Sequence, residues 1–121
     1  MDKWSPNGNK TYTAGGAIAN GDVLKFDASG NVVKTTAAND AAIGIALDGA
    51  TEGDIVPVAI LGNFTGTVQI KAGGAISAGA QIAANATATA AGTDVIIGRA
   101  LEAASAANDM IEVAHCVGHV K

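Results

Sequence analysis

His115, Cys116 and His119 lie together in the run HCVGH. Imidazole nitrogens and a thiolate are ligands that zinc prefers, so this run is the first place to look for a metal. A closed structural zinc site needs four ligands, and the chain has one cysteine and two histidines in all. On a strand, His115 and His119 would share one face, and Cys116 would point to the other as a small apolar side chain. The acids Asp48, Glu52 and Asp54 cluster in DGATEGD. A calcium loop places its oxygens at alternate positions around a sharp glycine turn, and this run lacks that spacing. A solvated turn is the expectation. The runs GGAIANG and GGAISAG are glycine-rich but have no following Lys-Ser/Thr pair to hold a phosphate. Ser29, Ser77 and Ser105 lie in turn-like stretches with no histidine close in sequence. No catalytic residue, cofactor or metal is expected, and the chain reads as a non-enzyme.

The elements that would position these residues centre on Ala42–Leu61, AIGIALDGATEGDIVPVAIL. Two strand-length apolar runs, Ile43–Leu47 and Ile55–Leu61, flank an acidic link broken by Gly49 and Gly53, which argues for a hairpin or arch. A related text recurs as IIGRALEAASAANDMIEVAH, Ile96–His115. Upstream, GGAIANGDVLKFD at Gly15–Asp27 is echoed by GGAISAGAQIAAN at Gly73–Asn85. Gly21 then matches Gly79, Gly44 matches Gly98, Asp54 matches Asp109 and Val58 matches Val113. Matched glycines imply turns with positive φ, or close strand crossings.

Two such halves, about 15–62 and 73–116, predict one mainly β domain over 14–121. The expected form is a compact antiparallel β-barrel or sandwich, with at most one or two helical turns at Ala37–Ala42 and Glu102–Asn108. Residues 1–13 are polar and read as an extended N-terminal arm. Trp4 in this arm either caps the domain's own core or anchors the arm on a neighbouring molecule. Both faces of Ile55–Leu61 are apolar, so one is expected in the protomer core and the other against a second layer or protomer. Pro57 favours an edge or a bulge.

The composition narrows the partners. Net charge is −4 with charged residues at 15% and no basic patch, so nucleic acid is not expected. No run reaches the roughly 18 apolar residues of a membrane span. The opening MDKWSPNGNK has no apolar core, so no export signal is expected there. Small core side chains bury little area, which favours a homo-oligomer.

In the order of GGAIANGDVLKFD, IGIALDGATEGDIVPVAILG and IIGRALEAASAANDMIEV, the chain resembles the head decoration, or capsid cement, proteins of tailed phages. The resemblance implies a structural virion protein on the outer surface of the capsid, made in the host cytoplasm. It implies the major capsid protein as partner, with bridging of its subunits, and self-association, commonly as a homotrimer. Trp4, Pro6, Tyr12, Val56, Val58 and Ile60 are the expected contact residues to capsid or neighbouring protomer. The alternative is a non-catalytic carbohydrate- or surface-binding β module. Such modules stack aromatic rings on sugars, and this chain has only Trp4, Tyr12, Phe26 and Phe64.

Overall fold

The computed structural model describes residues 7–120. Among the described residues there are nine strands and no helix: β1 (Asn9–Thr13), β2 (Val23–Phe26), β3 (Val32–Lys34), β4 (Gly44–Ala46), β5 (Ile55–Ile60), β6 (Val68–Lys71), β7 (Gln81–Ala83), β8 (Val95–Ala100) and β9 (Met110–Val120). They form two antiparallel sheets, ordered β1-β5-β4-β2-β3 and β6-β9-β8-β7. Neither sheet closes into a barrel. A lone parallel bridge between Ala14 and Val32 draws the end of β1 towards β3 without becoming a strand pair. The architecture is the sandwich-like one of the two forms expected.

One hydrogen-bonding scheme builds both sheets. Gly21 N–H donates to Ala46 O, and Gly79 N–H to Ala100 O, both at 2.8 Å. Ile18 and Ala50 exchange two backbone bonds, as do Ile76 and Ala104. Ala14 N–H donates to Asp54 O, and Ala72 N–H to Asp109 O, both at 2.8 Å. By these bonds β1 corresponds to β6, β5 to β9, β4 to β8 and β2 to β7. The counterpart of β3 shrinks to a single bridge, Ile82 to Ala88. Gly44 and Gly98 share a cause. A Cβ on Gly44 would meet Ala59 O at 2.7 Å, and one on Gly98 would strike Ala114 O, so adjacent strands approach too closely for any other residue.

The segments with helical composition are turns instead. Asp40 Oδ2 accepts from the N–H groups of Thr36 and Ala37 at 2.8 and 3.0 Å. Asp109 Oδ2 accepts from Ser105 N–H at 2.9 Å and Ala106 N–H at 3.2 Å. A carboxylate that binds successive N–H groups offers the backbone a local alternative to the helical ladder.

The core answers which face of β5 is buried: both are. Val56 and Val58 point into a cluster with Ala14, Ile18, Leu24 and Val32. Ala59 and Leu61 point the other way, into a larger cluster that joins Ile45 to Ile70, Ile82, Ile97 and Ile111 of the second sheet. The two-sided apolar strand is thus explained within one protomer. Pro57 sits neither at an edge nor at a bulge, because β5 lies between β1 and β4. Towards β4 the next bonded pair is Leu47–Pro57: Leu47 N–H donates to Pro57 O at 2.9 Å, and only the return bond from the missing N–H is lost. On the β1 side the bonded phase set by Gly8–Ile60 and Ala14–Asp54 leaves Thr11–Pro57 a non-hydrogen-bonded pair.

Candidate functional site

The expected contact residues separate into three groups. Trp4 and Pro6 lie outside the described residues. Val56 and Val58 are 0% exposed, so neither side chain can touch a partner. This corrects their assignment as contacts: their alternation places them in the interior cluster, and the apolar pattern alone carried no sign of direction. Tyr12 and Ile60 are half-buried against the rim of that cluster. Residues 9–13, expected within the extended arm, are strand β1, paired antiparallel with β5 from Asn9–Ala59 to Thr13–Ile55. Tyr12 on this strand meets Phe26 edge-on, with ring centroids 5.3 Å apart. Phe26 remains 44% exposed, so this aromatic pair forms a surface feature that the sequence did not single out.

The HCVGH run lies on β9, but its alternation is broken. Ile96 pairs with His119 and Gly98 with His115, so one residue of β8 faces three of β9. The irregularity re-aims the side chains. Cys116 and His119 line the same shallow recess beside Gln81 and Arg99, whereas His115 reaches the 62–66 loop. A regular strand would place the two histidines on one face and the cysteine on the other, and the irregularity between Ile96 and Gly98 removes that alternation. His115 Nδ1 accepts from Gly62 N–H at 2.9 Å. Its Nε2 therefore carries the proton and donates to Gly66 O, also at 2.9 Å. The ring acts as a staple between the halves. Burial pushes the Cys116 thiol upward, away from the thiolate that would make it a nucleophile.

The acids of the two long turns are likewise engaged. Asp54 accepts from Thr51 Oγ1 at 2.6 Å, and that hydroxyl holds its carboxyl below the ordinary value of 3.8. Asp109 is lowered in the same way, first by the Ser105 hydroxyl at 2.9 Å. Asp48 accepts from Gly49 N–H. Among the described residues no three of His, Cys, Asp and Glu gather where a metal ion could be held.

What distinguishes the surface is an unequal pair of turns. The Gly21 turn of the first half docks on the second: Lys71 N–H donates to Gly21 O at 2.9 Å. Met110 lies so close over Gly21 that a Cβ there would meet its Cε at 2.7 Å. The matched Gly79 turn has no atom near its Cα face, and the residues matched to Lys71 and Met110 are Thr13 and Ile55. Ile55 is 64% exposed. The Thr13–Ile55 pair is a non-hydrogen-bonded one by the phase above, so Thr13 turns its N–H to the free edge of β1. The sequence signal for this surface was the shared position of Ile55 and Met110 directly after Asp54 and Asp109.

The sequence matches the phage cement protein family over residues 6–54 and again over residues 38–115. A search of curated protein sequences finds no match. Among solved structures, the fold is similar to the head fiber gp8.5 N base of bacteriophage phi29, with a TM-score of 0.66 and 16% identity. The alignment covers 93% of this chain and 97% of that one. At this identity the likeness is one of fold.

Proposed function

The chain belongs to the phage cement protein family, and from that premise we propose that it binds the outer surface of an assembled capsid and bridges neighbouring major capsid protein subunits. A phage cement protein is a structural, capsid-associated component of the virion. The observation that carries the finer reading is the family match, whose two segments together run from residue 6 to residue 115. Binding to the assembled shell but not to its dissociated parts stabilises the shell by mass action. Several weak contacts on one oligomer add through high effective concentration. Trp4, Pro6, Tyr12 and Ile60 remain the contact residues, with Phe26 joining Tyr12. The engaged histidines and the raised thiol of Cys116 support a non-enzyme.

The halves about 15–62 and 73–116 act as two copies of one unit, a reading supported by the matched backbone bonds. Within the chain they meet head to tail: the turn of the first sits on β6 of the second. A contact of that kind is heterologous and leaves one open surface of each type. The Gly79 turn of one copy, open over its Cα, then suits Thr13 and Ile55 of the next once Arg99 releases Gly79 O, which is consistent with a closed homo-oligomer such as a trimer. Co-sedimentation with expanded and with immature phage heads tests the function. Binding to expanded heads alone is expected. Failure to bind any head would sink the reading, and unchanged binding after removal of residues 1–6, which leaves strand β1 in place, would sink the contact role of Trp4 and Pro6.

A further inference from the structure

Between the two halves lies a recess of about 190 Å³, lined by Asp22 and Lys34 from the first and by Lys71, Asn85, Ala86 and Asn108 from the second. Asp22 is only 4% exposed. Its Oδ2 accepts from Ala19 N–H at 2.8 Å, but its Oδ1 is buried with no hydrogen-bond partner. Lys34 Nζ stands 3.9 Å from that oxygen, too far for a hydrogen bond. A half-satisfied buried carboxylate is costly and asks for a reason.

The turn is not that reason. Ala80 occupies the matched place, and the two turns close alike: Asp22 N–H to Ala19 O and Ala80 N–H to Ser77 O, both at 3.1 Å. The φ values of Gly21 and Gly79 are 88° and 85°. A second oddity converges on the same recess. Among the described residues, the non-glycine positions with positive φ are Ala86 and Asn108, and both line it. The position matched to Asn108 is Gly53, which needs no such strain.

We propose that this recess binds a neutral hydroxylated molecule, a small polyol or a single sugar ring, with one hydroxyl oxygen between Asp22 Oδ1 and Lys34 Nζ. A hydroxyl donates to the carboxylate and accepts from the ammonium at once, about 2.8 Å from each. An amine would meet Lys34 and Lys71 with like charge, and an anion would meet Asp22. One water occupies about 30 Å³ of liquid, so the recess takes more than a bridging solvent molecule. No aromatic ring lines it, so affinity is weak, in the millimolar range. The site is independent of capsid binding.

The test is an amide nitrogen–proton NMR titration of the full chain with glucose and, separately, with glycerol. Saturable shifts at Lys34, Lys71, Asn85 and Asn108 are expected with at least one of them. They should vanish in Asp22→Ala, whose Tm holds or rises because Ala80 shows that the turn accepts alanine. Lys34→Met, at an exposed side chain, should also lose them. The proposal is overturned if neither probe moves these amides, if the shifts survive both substitutions, or if Asp22→Ala markedly lowers Tm and so proves structural.

Discussion

The turn at Gly21 is covered by Lys71 and Met110, whereas the turn at Gly79 is open over its Cα and has only Arg99 on its carbonyl, although the same backbone bonds build both. The positions that agree between the halves are the ones that the backbone requires: Gly21 and Gly79, Gly44 and Gly98, Asp54 and Asp109. The positions that differ are set by what lies against them. β6 carries Val68 and Ile70, both buried, where the first half has Lys10 and Tyr12. Met110 packs on a glycine of its own chain, and its counterpart Ile55 faces outward. The difference teaches that matching backbone bonds can build two turns whose surroundings differ, one packed against its own chain and one open over its Cα.

The largest effect is expected in the interiors, where the two halves should respond alike. Val58→Asp and Val113→Asp each place a charge in a fully enclosed apolar site, at about 4 kcal/mol or more, and both should abolish cooperative unfolding in a thermal melt. At the next level the halves should diverge. Met110→Asp disturbs an internal contact and should lower stability by about 1–2 kcal/mol in denaturant titration. Ile55→Asp should leave the melt unchanged and reduce the solution mass measured by light scattering. A melt equally damaged by both would remove the distinction between covered and open surfaces.

Acid should then bring the halves together again. The carboxyls of Asp54 and Asp109 lie below their ordinary value, so their stabilisation is present above the unfolded value of about 3.9 and fades as pH falls through the lowered folded one. Asp54→Asn and Asp109→Asn should each flatten the loss of stability at acid pH, by similar amounts. The smallest effect concerns Arg99, which donates to Gly79 O at 2.7 Å from an exposed position. In the proposed self-contact, it caps the carbonyl to which Thr13 of a neighbour would donate. Arg99→Ala should tighten self-association slightly, read as a lower dissociation constant by sedimentation.

Much of this fold is legible in the chain because short apolar runs bounded by glycine and acid-containing turns have few alternatives. The segments Val23–Phe26, Ile43–Leu47 and Thr67–Ala72 overlap β2, β4 and β6 closely. Direction is harder. Val56, Val58, Ala59 and Leu61 are all small and apolar, so no alternation says which pair faces which cluster. Pairing across the sheet is also invisible: β1 is polar because it is an edge strand, and polarity alone reads as an arm. The break at His115–His119 depends on register with Ile96–Gly98, a property of two strands rather than one. Asp22 gives no local sign either, since the recess it lines is formed by residues distant in sequence, Lys71, Asn85 and Asn108 among them.

The proposed binding to an assembled capsid is open to a direct count. Purified protein would be mixed with expanded and with immature heads, sedimented, and the bound copies counted. Saturable binding to expanded heads only, with a raised temperature of head rupture, is the predicted result. Equal binding to both forms, or no binding to either, would contradict it.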